Sequence, residues 1–145
     1  MKLPHGAHVI VADGEKYLML RNAGDAELID LRVSVVEETE NSRNADQGTD
    51  RPGRYPASGE RRSAVEQTDW KELDEADFAT ALAHRVDRAV ARGDISGWAL
   101  LAAPQTLGIL REALGKQAKD ALIGDAAGDY VHQTIEKIER AVQAA

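Results

Sequence analysis

The sequence predicts an α/β layer protein, a meander of strands followed by helices that alternate with further strands. Three observations carry that expectation. First, 43% of the 145 residues are hydrophobic but only 4% are aromatic. A core must therefore be packed from Leu and Ala, which favour helices, and from Val and Ile, which favour strands. Second, the apolar period changes along the chain, from two-residue alternation near the N-terminus to three- and four-residue steps beyond Asp69. Third, Trp98 to Ala103 (WALLAA) is a continuous apolar run, as expected of a central strand covered on both faces.

Each element follows in order. His8 to Asp13 (HVIVAD) reads as a buried strand that enters a tight turn at Asp13-Gly14. Tyr17 to Arg21 (YLMLR) completes a hairpin, and Ala23-Gly24-Asp25 turns the chain again. Glu27 to Glu37 (ELIDLRVSVVE) alternates, with Ile29, Leu31, Val33 and Val35 on the core side and Leu28, Asp30, Arg32 and Ser34 opposite. Asp69 is placed to cap the first helix, with Glu72 at capping-box spacing. That helix carries Leu73, Ala76, Ala79, Leu82, Ala83, Val86 and Val90 as one stripe, with Arg88 and Arg92 in its last turns and Gly93 to stop it. After WALLAA, Pro104 ends the strand, and Thr106 is expected to cap a helix with Leu107, Leu110 and Leu114 inside and Gly115 at its end. Ala121-Leu122-Ile123 is a weak strand interrupted by GDAAGD. A last helix carries Val131, Ile135, Ile138 and Val142, with Glu136 and Arg140 as an outer i,i+4 pair.

The order β-β-β-α-β-α-β-α, with a mixed five-stranded sheet between helices, is the ribonuclease H-like three-layer topology. The length suits a single domain over residues 1–145, and no internal repeat is visible. The absence of cysteine excludes disulfides, thiol catalysis and thiolate metal sites, and fits a reducing compartment. Before Asp13 the N-terminus holds one lysine and an apolar run of only VIVA, too short and polar for a signal peptide or a spanning helix. A cytoplasmic location without membrane insertion is expected. A net charge of −7 excludes generic binding of nucleic acid or anionic membrane through an overall basic surface.

A local basic patch is offered by one segment, NADQGTDRPGRYPASGERRSAVEQ at 44–67, within a long Gly/Arg-rich loop expected over 38–68. Arg51, Arg54, Arg61 and Arg62 against Glu60 give +3 across residues 51–62. Guanidinium groups on a loop that includes Gly59 can clamp phosphate, and Tyr55 offers a stacking face. The alternative is a solvated loop whose charges only keep it in water.

Other chemistry is thinly supplied. Asp13 ends the first strand, where a two-metal nuclease of this topology would hold a carboxylate, but such chemistry needs several converging carboxylates. The end of the fourth strand reads Ala102-Ala103-Pro104, so the turn role of Asp13 is the stronger reading. His5, His8, His84 and His132 lack metal-ligand spacing, His5 and His8 at a fraying end. No serine lies in a Gly-x-Ser-x-Gly context, and no GK[ST] follows Gly53 or Gly59. Asp125 and Asp129 beside Gly124 and Gly128 fall short of a calcium loop and read as turn residues. No cofactor or metal is expected, and no catalytic residue is assigned.

Several stretches together resemble one family. VIVADGEKYLML, DRPGRYPASGERRSAVEQTDWKELDEADFATALA, LLAAPQTLGILREAL and TIEKIERAV are similar to the bacterial host-attachment proteins, described as required for attachment to host cells. They cover nearly the whole chain. That resemblance implies a fold similar to the middle, catalytic domain of eukaryotic- and archaeal-type peptide release factors, itself ribonuclease H-like. In those factors the loop between third strand and first helix carries Gly-Gly-Gln, whose glutamine helps water attack peptidyl-tRNA. Here the place reads Ser58-Gly59-Glu60-Arg61-Arg62-Ser63-Ala64. One glycine is kept, an arginine stands where the glutamine would be, and Gln67 does not match the motif. A guanidinium stays protonated and cannot accept a proton from water. The resemblance thus implies a ribosome- or tRNA-facing factor that binds through Arg51, Arg54, Arg61 and Arg62, acting on attachment indirectly. The rival expectations are a protein-interaction module and, last, a hydrolase of peptidyl-tRNA or phosphodiesters built on Asp13, Glu60 and a loop arginine.

Overall fold

Five strands form one open, mixed sheet in the order β3-β2-β1-β4-β5. The computed structural model describes residues 1–39 and 73–145. β1 (His8–Ala12), β2 (Lys16–Asn22) and β3 (Leu31–Glu38) make an antiparallel meander. β4 (Trp98–Ala102) pairs parallel to β1, and β5 (Leu122–Ala127) pairs parallel to β4. Four helices accompany the sheet among the described residues: α1 (Glu75–Arg92), α2 (Pro104–Ala113), α3 (Lys116–Ala121) and α4 (Ile135–Ala144).

The period of two along the strands sorts the core onto two faces. Ile10, Tyr17, Met19, Trp98 and Leu100 pack under Phe78, Leu82 and Val86 of α1 and Leu107 and Leu110 of α2. Val9, Val11, Leu20, Ala99 and Leu101 pack on the other side against Ile138 and Val142 of α4, with Leu3 from the N-terminal segment. All five residues of β4 are buried, which is the physical content of the unbroken WALLA run.

The boundaries depart from expectation for identifiable reasons. Asp69 and Glu72 lie outside the described residues; α1 is capped by Asp74, whose Oδ1 accepts from the Asp77 N–H at 2.8 Å. Its buried stripe includes Phe78 and Ala89, while Ala76 is exposed. Gly93 ends it as expected, with φ of 86° and its N–H donating to Val90 O. α2 starts at Pro104, two residues before Thr106, because the first helical position needs no N–H and suits the fixed proline φ. Thr106 is consequently buried in the first turn instead of capping. Gly115 opens α3 instead of closing α2, and donates its N–H to Asp87 Oδ1 at 2.9 Å. The six-residue α3 shows almost no apolar pattern; Trp98 Nε1–H donates to Ala118 O at 2.9 Å and ties it to the core. β5 runs on through Gly124-Asp125-Ala126-Ala127, since pairing with β4 supplies what strand propensity lacks. α4 begins at Ile135 under a Thr134 cap, and Val131 is buried in the preceding turn.

β3 begins at Leu31, four residues after Glu27. Asp25 Oδ1 takes the Glu27 and Leu28 N–H groups at 2.9 and 2.8 Å and makes residues 25–28 a turn, leaving Leu28 77% exposed. The expected alternation then breaks. Met19 pairs with Val35 and Leu20 with Val33, so Ser34 is an extra residue, a bulge. Leu31 therefore packs on the α4 side while Val35 packs on the α1 side.

Candidate functional site

In an open α/β sheet the usable crevice lies beyond the carboxyl ends of the parallel strands, where helices begin. Here that rim is formed by the ends of β1 and β4, the β1–β2 turn, and the starts of α1 and α2. The Ala103 N–H donates to Ala12 O at 3.1 Å and the Gly128 N–H to Ala102 O at 2.9 Å, which knits the strand ends together. Asp13 shapes the turn. Its Oδ1 accepts from the Glu15 and Lys16 N–H groups, both at 2.8 Å, while its own N–H donates to Lys16 O at 3.0 Å.

Described residues on either side of 40–72, Thr39 and Glu75, meet this turn. The buried Thr39 donates its N–H to Glu15 O at 2.7 Å, so the chain leaves the sheet beside Glu15. It returns next to Gly14: a Cβ on that glycine would stand 2.6 Å from Glu75 Cγ. Glycine permits this close approach of turn and helix.

The described rim carries many carboxylates: Asp13, Glu15, Glu38, Asp74, Glu75 and Asp77. Lys16 Nζ lies 4.0 Å from Glu38, and Arg85 bridges α1 to Glu37 at 3.5 Å with its guanidinium 6.0 Å from the Tyr17 ring centre. The start of α2 is electropositive by construction, since Ala103 gives no side-chain cap and the first turn has no acid. Among the described residues no three His, Asp or Glu side chains converge to hold a metal ion.

Of the residues singled out by sequence, Asp13 sits on this rim. Arg51, Arg54, Tyr55, Gly59, Arg61 and Arg62, like Glu60, lie outside the described residues. Asp125 is a strand residue, not a turn residue, and receives a bidentate pair from Arg111, at 2.7 and 3.2 Å; that pair holds the guanidinium above its usual range. His5 Nδ1 meets Gly24 O at 2.7 Å. His8 is not frayed: it is the half-buried first residue of β1, and its Nδ1 is buried with no hydrogen-bond partner among the described residues. Burial, and then Arg21, push its pKa below the ordinary value. His84 and His132 are exposed. Sequence reading missed the α2 start as part of the rim, although Ala103-Pro104 after a buried strand is the signal for it. No helix among the described residues is long and apolar enough to cross a membrane.

Comparison with known proteins gives one family. The sequence model described as bacterial archaeo-eukaryotic release factor family 12 matches residues 6–142, from before β1 into α4. No curated protein matches the chain.

Proposed function

The chain belongs to bacterial archaeo-eukaryotic release factor family 12, and on that premise we propose that it is a cytoplasmic, release-factor-like factor that associates with the ribosome or with tRNA without hydrolysing an ester. The family match across residues 6–142 is the observation that carries the reading. The strand order 3-2-1-4-5, with β1 antiparallel to β2 and parallel to β4, supports a ribonuclease H-like assignment. In chain order the segment falls between β3 and the first described helix, as the release-factor catalytic loop does, and Thr39 before it and Glu75 after it both meet the β1–β2 turn, which supports the comparison. Its sequence supplies Arg51, Arg54, Arg61 and Arg62 for phosphate and Tyr55 for stacking. It supplies no glutamine where the tripeptide would end. Any effect on host attachment is then indirect, through translation or its regulation.

Binding of purified ribosomes and of tRNA, measured at several salt concentrations, tests this. Wild type binds at low salt with an affinity that falls as salt rises. Replacing the four arginines by serine lowers the slope of log K against log salt by about 3, one unit or slightly less for each lost phosphate contact. No binding at low salt, or an unchanged slope in the variant, overturns the proposal. Magnesium-dependent turnover of peptidyl-tRNA that Asp13→Asn abolishes would replace it with hydrolysis.

A further inference from the structure

The α4 side of β3 is left open. Val33 and Val36 both face that side because the extra residue Ser34 lies between them, and they remain 44% and 50% exposed. Glu139 fixes the helix against the start of the strand, its Oε2 accepting from the Leu31 N–H at 2.8 Å. Ile135, one helical turn earlier on the same side of α4, is 37% exposed. The three form an exposed aliphatic shelf on this side, two residues on the edge strand and one a helical turn from the glutamate that meets the start of that strand.

Carboxylates border the shelf. Glu136 is exposed and next to Ile135 in the chain, Glu139 accepts from the Leu31 N–H, and Glu38 stands at the far end of β3, where it holds Lys16 at 4.0 Å. Strand addition to the β3 edge is disfavoured, since a bulge interrupts the edge and Glu139 already takes the Leu31 N–H. Recognition must therefore run through side chains. We propose that this shelf docks a protein partner through a basic segment with aliphatic anchors, Leu, Ile or Val flanked by Lys or Arg. The anchors cover Val33, Val36 and Ile135 while the cations meet the bordering carboxylates. The chain's net charge of −7 adds long-range attraction for such a partner. RNA would bring phosphate to carboxylate, and a second copy would bring the same carboxylates face to face.

The experiment is an NMR titration of the 15N-labelled chain with a nonapeptide of alternating Lys and Leu. Two control peptides replace every Leu by Ser or every Lys by Glu. Amide shifts are expected at Val33, Val36 and Ile135 to Glu139, with each control peptide binding at least tenfold more weakly. The Val33→Thr/Val36→Thr double variant and the helix-surface variant Glu136→Lys each weaken the Lys/Leu peptide by a similar factor. Replacing the four arginines of the 44–67 segment leaves it unchanged, which separates this proposal from the ribosome reading. Shifts centred elsewhere, equal binding of the Glu peptide, or an RNA oligonucleotide moving the same amides overturns it. So does concentration-dependent dimerisation that the double valine variant removes, which would make a second copy the occupant.

Discussion

His8 enters the sheet opposite Arg21 on β2 and Trp98 on β4, half-buried, with Nδ1 out of reach of water and of any acceptor among the described residues. A proton added there charges a shielded ring and is repelled by Arg21, while Asp94 offsets only part of the cost. The folded-state pKa therefore lies below the ordinary value of 6.5. In the window between the two, the unfolded chain binds more protons than the folded one, so stability rises with pH. The contribution of His8 is fully present above pH 6.5 and is lost as pH falls below it and through the depressed folded value. Urea unfolding of wild type and His8→Leu at pH 7.5 and at about pH 5.5 should show a larger acid-side loss in wild type. Equal losses in the two proteins would refute the assignment. Nothing in the sequence singles out His8 from His5, three residues away: what separates them is the strand ladder, which holds one in the sheet and leaves the other at a turn carbonyl.

At the scale of elements, sequence patterns identified the long helices and the five strands among the described residues, β5 only as a weak strand cut short at Ile123, because burial on one or both faces writes directly into their periodicity. They failed where tertiary pairing overrides local preference. β5 runs through a glycine and an aspartate that no strand propensity selects, and α3 is ordered by a tryptophan hydrogen bond and the Asp87 cap. The β3 bulge is the sharpest case. Period two, read through Ser34, assigns Val35 to the same face as Leu31, whereas the extra residue sends them to opposite faces. Since Ser34 has no pairing partner, deleting it keeps Val33 opposite Leu20 and Val35 opposite Met19. Deleting Val33 instead puts Ser34 opposite Leu20 and leaves Arg32 opposite Arg21. The first deletion should cost about 1 kcal/mol, close to the loss of one hydrogen bond such as that from Ser34 Oγ to Met19 O at 3.1 Å. The second also exchanges a half-exposed valine for a serine on the α4 side and should cost about 1 kcal/mol more than the first. Denaturant midpoints of the two deletion variants test the order, and a larger loss for the Ser34 deletion would mean that the Ser34 hydroxyl holds β3 more firmly than the Val33 side chain does.

For the molecule as a whole, the two covers of the sheet are unequal. Among the described residues α1, α2 and α3 share one face, whereas α4 closes the other, assisted by Leu3 and the N-terminal segment. The turn at the end of β1 was legible, since HVIVAD followed by Gly14 reads as a strand entering a tight turn. The close approach of Gly14 to Glu75 was not, because it depends on how α1 sits on the sheet. This asymmetry makes α4 decisive for cooperativity. Ile138 and Val142 are fully buried and face Val9, Val11, Leu20 and Leu101, all themselves buried on the central strands. Ile138→Ala removes a methyl-rich side chain that no other described helix on this face can move in to replace, and should cost about 3 kcal/mol. Truncation before Thr134 goes further and exposes the same strands along their whole length on one side. Parallel strands covered on one face only are not a stable arrangement, so the truncated chain should show no cooperative urea transition and should lose amide protection in β1 and β4 together. Retention of a sharp transition would show that the α1 face is sufficient to hold the sheet, and would move α4 from structural layer to accessory element.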